Sequence, residues 1–212
     1  MVAIIPFLNE LRQKPIIAHI LDELSSKLPK RLYYHVPAHT EDVMHEVLLF
    51  GIEDGLKERD LELLVVAAAF HDSGFIDSLV DNEPYGAERA KVAAKSSGDY
   101  SKEEVDEITQ MILATKVHQL SNGARQLPST DLSKYLCDAD MSNLGRKDFF
   151  EKGELLQKER GVKSQQEFLR GLSELILAHK WHTPAGNKLR SKGCEENLEE
   201  IKKLLHTPPP AL

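Results

Sequence analysis

The sequence has few of the features that mark secreted, membrane-spanning or nucleic-acid-binding proteins. It contains only two cysteines, Cys137 and Cys194, which are too few for a disulfide framework and are expected to be reduced thiols. No stretch approaches the ~20 apolar residues of a membrane span. The segment Met1–Leu11 also lacks the basic start and long apolar run of a secretory leader. We therefore expect a cytoplasmic protein with no membrane partner.

The charge balance is acidic, with 27 Lys and Arg residues against 34 Asp and Glu residues and a formal net charge of -7 at pH 7. This excess of negative charge argues against general attraction to nucleic acid or to an anionic membrane surface. A phosphate-bearing substrate would therefore have to be bound by groups at the binding site itself, because the protein as a whole does not attract it. No linker rich in Pro, Gly or Ser divides the 212 residues, which predicts one domain over residues 1–212. The oligomeric state stays open.

Apolar residues recur at helical spacing along most of the chain, and no segment alternates as a convincing strand would. Helices are predicted to begin at Pro15 and Pro37, because proline suits the first turn of a helix. Further helices are predicted at Leu61–Phe70, Pro84–Lys95, Lys102–Ala114, Ser129–Met141, Gln165–His179 and Glu195–Leu205. The expected fold is an all-α bundle with an N-terminal helical extension (1–29), a core (30–205) and a flexible tail (206–212).

Residues of metal-ligating type stand beside apolar helical segments in three runs. These runs are YHVPAH (Tyr33–His39), AAAFHD (Ala67–Asp72) and CDADMSNLG (Cys137–Gly145). A lone inward histidine such as His39 is more often a hydrogen-bonded core residue than a ligand. A buried carboxylate such as Asp72, however, needs a partner, and a metal ion is one. Imidazole and carboxylate together suit zinc, iron or manganese.

The order His39, His71-Asp72 and Asp140 resembles the HD-domain metal-dependent phosphohydrolases, named for their His-Asp doublet. The stretches YHxxxHxxDV and CDADMSN are also similar to the first and last metal motifs of cyclic-nucleotide phosphodiesterases. The segments Asp81–Glu83 (DNE), ILAT followed by His118, and His182–Gly186 (HTPAG) resemble a bacterial group of short HD phosphohydrolases. That resemblance spans roughly residues 30–205.

The resemblance implies a helical, phosphodiesterase-like HD bundle that holds one or two divalent ions, with Mn, Fe, Zn or Mg as candidates. The implied ligands are His39, His71, Asp72 and Asp140. Asp72 would also serve catalysis by bridging a second ion if one binds, because a carboxylate has two oxygens. Asp138 is the main rival to Asp140 as a ligand. The spacing to Asn143 favours Asp140, so Asp138 is expected to face water or to support the site.

Further residues receive roles with open alternatives. His35 matches the phosphodiesterase histidine that protonates the leaving oxygen, or it is a loop histidine that packs or binds phosphate. Substrate contact or orientation of a ligand is predicted for Glu83, Lys116, His118, Asn143 and Arg146. The alternative for the basic members is a solvated surface, since Lys and His are common at helix ends. No role is predicted for the His182–Gly186 stretch.

The expected function is hydrolysis of a phosphate ester, with a nucleotide as the favoured substrate, by a water that the metal activates. The alternatives are a metal- and nucleotide-binding sensor without turnover and a metal-stabilised scaffold for a partner. The ligand set favours the enzyme, because a scaffold does not need an open coordination position. The sequence does not distinguish a nucleoside monophosphate from a cyclic nucleotide, a guanosine alarmone or another phosphate ester.

Overall fold

The structure, a computed structural model, describes residues 3–121 and 123–206. In these residues the chain forms ten α-helices and one two-stranded hairpin. The helices are α1 Ile4–Arg12, α2 Pro15–Lys27, α3 Pro37–Glu53, α4 Glu58–Phe70, α5 Asn82–Ser97, α6 Lys102–Ala114, α7 Asp131–Asp140, α8 Phe149–Arg160, α9 Gln165–Ala178 and α10 Pro184–His206. The strands are β1 Val117–Leu120 and β2 Gly123–Gln126, and short 3₁₀ turns span Ser73–Ile76 and Ser142–Gly145. The predicted all-α class is confirmed.

Local sequence signals predicted the starts of several helices correctly. Helices α2 and α3 begin at Pro15 and Pro37 as predicted, since the missing proline N–H has no partner to lose in the first turn. Helix α6 has the predicted bounds. Its start is fixed by a capping box in which Ser101 and Glu104 each accept the other's backbone N–H.

Three elements differ from the sequence-based expectation. Helix α8 was not predicted, because only Phe149, Gly153 and Leu156 of its twelve residues are buried. Helix α10 begins at Pro184 rather than Glu195, since its first turns are polar and show little apolar periodicity. The prediction that the chain has no strand is wrong, because residues 117–126 form a hairpin. Its four-residue strands are too short to display a clear alternation. The tail predicted at 206–212 lies outside the described residues from residue 207 onward.

The main core is built around α4. This helix is apolar on every side, and all residues from Leu63 to Phe70 are buried. Helices α2, α3, α5, α6 and α7 surround it. The N-terminal helices contribute Leu8 and Ile20 to this core, so they pack into the same interior as the rest of the bundle. None of the described helices combines the length and the apolar character that a membrane crossing requires.

A second, smaller apolar cluster joins α8, α9 and α10, with Phe149, Phe168 and Ile201 among its buried members. The hairpin packs against α9, where Gly123 adopts a φ of 111° and a Cβ atom would collide with Ala178. Positive φ and this close approach both require glycine.

The two faces of the hairpin point in different directions. Its Cα partners are Val117 with Gln126, His118 with Arg125, Gln119 with Ala124 and Leu120 with Gly123. Because side chains alternate across a strand and paired residues share a face, Gln119 and Gln126 lie on one face while His118 and Arg125 lie on the other. We call these the front face and the reverse face.

Close packing around Gly74 generates a stability prediction. A Cβ atom at Gly74 would collide with the backbone carbonyl of Asn82 at the start of α5. We expect Gly74→Ala to lower the free energy of unfolding by about 1–3 kcal/mol, because neither backbone segment can give way cheaply. Gly171→Ala is the matched control, since a Cβ there meets nothing within 4 Å. In α9 this change should be neutral or stabilise by up to ~1 kcal/mol. Urea unfolding measures both, and equal stabilities would contradict the packing argument.

Candidate metal centre and active site

Three helices bring the four predicted ligands to one point. His39 lies on α3, His71 and Asp72 follow the buried end of α4, and Asp140 ends α7. The Nε2 atom of His39 lies 3.1 Å from Oδ1 of Asp140 and 3.4 Å from Nε2 of His71. Nε2 of His71 lies 3.1 Å from Oδ2 of Asp72, and Nε2 of His39 lies 3.5 Å from the same oxygen. Each residue therefore turns one nitrogen or oxygen toward a shared centre.

These donor atoms fit a divalent metal ion. Nδ1 of His71 is 2.7 Å from the carbonyl oxygen of Ala68 and donates its proton there, so Nε2 is the nitrogen that could offer a lone pair to a metal ion. Oδ2 of Asp72 is buried without a hydrogen-bond partner. A buried carboxylate oxygen without a partner is costly, and a cation at the shared centre would be that partner. Two imidazole nitrogens with two carboxylates suit zinc, iron or manganese.

The electrostatics of the site also favour the binding of a cation. Burial opposes the charged forms of His71, Asp72 and Asp140, but attraction between the imidazole and carboxylate groups outweighs it. His39 and His71 hold the pKa of Asp140 well below its usual range, and His71 helps lower the pKa of Asp72 to about 2. The two carboxylates in turn raise the pKa of His71 well above its ordinary value. The site thus concentrates negative charge that a cation can neutralise.

Two neutral amides orient the carboxylates. Nδ2 of Asn82 donates to Oδ1 of Asp72 over 3.2 Å. Nε2 of Gln126 donates to Oδ2 of Asp140 over 2.5 Å and to the Thr115 carbonyl over 2.7 Å. Each amide engages the carboxylate oxygen that does not face the centre, so the other oxygen is aimed at it. Neither amide was singled out from the sequence, although Asn82 lies inside the matched DNE segment.

His35 lies in the loop before α3 and is held by Glu159 of α8. Oε1 of Glu159 contacts Nδ1 of His35. Its Oε2 accepts the backbone N–H groups of Tyr33 and Tyr34 over 2.8 Å and that of His35 over 3.1 Å. Burial opposes charge on His35, but Asp72 and Glu159 outweigh it and raise its pKa. Glu159 was missed in the sequence, because it stands among the ordinary Lys and Glu residues of a surface helix.

A cavity of about 680 Å³ opens beside His35 and Asp140. The front face of the hairpin, α8, α9 and the 3₁₀ turn after α7 enclose it. Its volume is within the usual range for a small-molecule site. Apolar residues of α9 form much of the wall, and its charged members besides Asp140 are Arg160, Arg170, Glu167 and Glu174. We call it the front cavity.

The structure brings some of the other predicted residues to the site and not others. Asn143 lines the front cavity, and Arg146 lines a small space beside His39 and Asp140 while paired with Asp148 and Asp42. Oε2 of Glu83 is buried without a hydrogen-bond partner, and burial raises the pKa of this carboxyl.

Lys116 and His118, the two remaining basic candidates, do not contact the four predicted ligands. Lys116 is engaged by the exposed carboxylate of Asp81. His118 lies on the reverse face of the hairpin, turned away from the face that carries Gln126. Their predicted contact with substrate stays a prediction.

Asp138, the alternative to Asp140 as a metal ligand, instead accepts hydrogen bonds from another segment of the chain. It was expected to face water or to support the site, and because it is fully buried the first of these alternatives is wrong. Its carboxylate accepts the backbone N–H of His182 and of Thr183, each over 2.9 Å, and the Thr183 hydroxyl over 2.7 Å. A Cβ atom at Gly186 would collide with Asp138. The HTPAG stretch therefore fits around Asp138 and fixes the start of α10 next to the ligand helix α7.

Comparison with known proteins agrees with this description. Neither a protein-family model nor a curated protein sequence matches the chain. Among solved structures, a predicted HD superfamily hydrolase from an uncultured Thermotogales bacterium superposes with a TM-score of 0.63 at 18% identity, over 93% of this chain and 97% of that one. Bacillus subtilis YpgQ in complex with ADP superposes with a TM-score of 0.59 at 16% identity, over 92% of this chain and 97% of its own. The chain shares the fold of these two structures, and the likeness to HD-domain proteins inferred from its motifs is confirmed at the level of the fold.

The geometry predicts which substitutions remove metal. Wild-type protein incubated with Mn²⁺ or Zn²⁺ and desalted should retain about one or two ions per chain, measured by plasma mass spectrometry. His71→Ala and Asp140→Asn should lose most of this metal, because each removes a donor atom. Asp138→Asn is the matched control. It should keep the metal but lower the free energy of unfolding by about 1–3 kcal/mol, since its amide cannot accept all three hydrogen bonds. Full metal content in both ligand variants would refute the assignment.

Proposed function

We propose that this protein is a metal-dependent phosphohydrolase that cleaves a phosphate ester of a nucleotide or of a similar small molecule. The observation that carries the proposal is the convergence of His39, His71 and Asp140, with Asp72 beside the two histidines, at a point where Asp140 and His35 line the front cavity. When bound, a divalent ion would supply a positive charge for the phosphoryl oxygens and lower the pKa of a water molecule. The fold of the structural neighbours is consistent with this chemistry.

The residues around the ion would hold the reaction geometry. Asn82 and Gln126 fix the carboxylates of Asp72 and Asp140, so the ligands need not reorganise as charge develops on the substrate. Burial of His39 and His71 keeps bulk water away from the ligand side of the centre. Asn143, at the wall of the front cavity, offers an amide to the substrate.

His35 is the proposed acid. Glu159 engages Nδ1 of its ring, so the other nitrogen, Nε2, is the one that would give a proton to the leaving oxygen. In the part of the chain that the structure describes, no protein group hydrogen-bonds this Nε2. The negative charge of Glu159 stabilises the imidazolium until the proton is transferred. Glu159 is thus a positioning residue for His35.

The front cavity would accept the leaving group. Its wall combines apolar side chains such as Phe168 and Leu172, which suit an aromatic base, with charged groups of both signs, among which Arg160 and Arg170 would be the ones to bind an anionic group. The structural neighbour YpgQ is in complex with ADP, which supports a nucleotide as the substrate class of this chain. The two cysteines are buried and free, which agrees with activity in a reducing cytoplasm.

The direct test is turnover. Wild-type protein should hydrolyse at least one member of a panel of nucleoside monophosphates, cyclic nucleotides and nitrophenyl phosphates, assayed with Mn²⁺, Zn²⁺, Fe²⁺ and Mg²⁺. A monoester would release phosphate, and a cyclic nucleotide would give a nucleoside monophosphate. Asp140→Asn should abolish this turnover, because it removes a ligand. An inactive wild type that still binds nucleotide and metal would instead support the sensor without turnover.

The role of His35 predicts a dependence on the leaving group. His35→Ala should keep the metal and lose about 10²–10⁴-fold in kcat on a nucleotide with an alkoxide leaving group. On a nitrophenyl ester it should lose much less, because nitrophenolate needs little protonation. Glu159→Gln should show a smaller loss with the same dependence. His45→Ala, which removes a half-exposed histidine paired with Glu46, is the control and should behave as wild type. Equal losses on both esters would mean that His35 only positions phosphate.

A further inference from the structure

We infer that a second binding site, for a small organic phosphate, lies on the reverse face of the hairpin between Arg125 and the Lys180–His182 loop. A cavity of about 480 Å³ occupies this place. Its lining residues are distinct from those of the front cavity, so it is a separate site. The inference does not depend on the proposed hydrolytic activity.

The charge of this reverse cavity points to an anion. Arg125 and Lys180 line it, and its wall in the described residues contains no Asp or Glu. Carboxylates pair with Arg12, Arg59, Arg89, Arg146 and Arg190 elsewhere in the molecule. Across residues 3–121 and 123–206, by contrast, no carboxylate pairs with Arg125, and its Nε is buried without a hydrogen-bond partner. An unpaired, partly buried guanidinium is costly, and an anionic ligand would relieve that cost.

The aromatic groups of the reverse cavity point to a ligand larger than a bare ion. Trp181 packs edge-on against His179, with ring centroids 4.4 Å apart. Burial lowers the pKa of His179 to about 4, so at neutral pH its ring is an uncharged surface. Trp181 is itself only partly buried and lines the cavity, which leaves indole surface for an organic group. The volume also exceeds what one phosphate needs and lies within the range of small-molecule sites.

The nearby carboxylate of Asp138 does not neutralise the positive charge of the reverse cavity. Asp138 acts on His182, but all three of its hydrogen bonds go to His182 and Thr183. In a chain with a formal net charge of -7, Arg125 and Lys180 therefore give the reverse cavity a local positive charge.

The sole tryptophan of the chain, Trp181, makes the site directly observable. Its fluorescence should change saturably when metal-free protein is titrated with adenosine 5′-monophosphate, and inorganic phosphate should bind about tenfold more weakly because it leaves the indole surface uncovered. Arg125→Gln and Lys180→Gln should each weaken adenosine monophosphate binding about tenfold. Circular dichroism and melting curves would confirm that both variants fold.

Two controls separate this site from the front cavity. Arg170→Gln removes a cation of the front cavity, and His71→Ala removes a predicted metal ligand, so both should leave the fluorescence titration unchanged. The inference would be overturned by the absence of a saturable change at millimolar ligand, or by a change that persists in Arg125→Gln and Lys180→Gln. Loss of the signal in His71→Ala would likewise overturn it by placing the ligand at the metal centre. Equal affinities for phosphate and adenosine monophosphate would overturn the assignment to an organic phosphate.

Discussion

The buried contact between His39 and Asp140 joins parts of the chain that are 101 residues apart, and much of the architecture depends on it. Helix α4 packs against both α3 and α7 at the centre of the bundle, which explains why its residues from Leu63 to Phe70 are apolar and buried. The same arrangement places Asp72 and Asp140 close together. Two carboxylates in one low-dielectric site repel each other, so a positive charge between them stabilises the fold and would also serve the chemistry.

That the four predicted ligands point into the bundle could be anticipated from the sequence, because they stand next to strong local signals. His39 shares the spacing of Val43 and Val47, and His71-Asp72 ends an apolar helix, so helical periodicity alone turns these groups inward. Glu159 and Gln126 carry no such signal. Glu159 is one of many charged residues on α8, and its contact with His35 spans 124 residues. Contacts of this kind arise from how helices pack against one another, which no local pattern records.

The supporting groups share a chemical property. Asn82 and Gln126 are uncharged donors, so they orient the carboxylates without cancelling the negative charge that holds a cation. Glu159, which carries charge, contacts His35 rather than a ligand, and there its charge favours the protonated ring. Asp138 is kept apart from the centre by its three bonds to the start of α10. A charged group, Glu159, thus contacts the residue that would carry a proton, whereas neutral amides contact the carboxylates that would bind a metal ion.

The alternation of side chains in the hairpin restricts how this surface loop can change in length. Gln126 faces Asp140 and its neighbour Arg125 faces the opposite way. A single-residue insertion that shifted β2 by one position would turn a guanidinium toward the metal ligand and carry the amide away. A two-residue insertion would preserve the parity of the faces. Insertions and deletions in this segment should therefore be tolerated in pairs, although exposed loops elsewhere accept changes of any length.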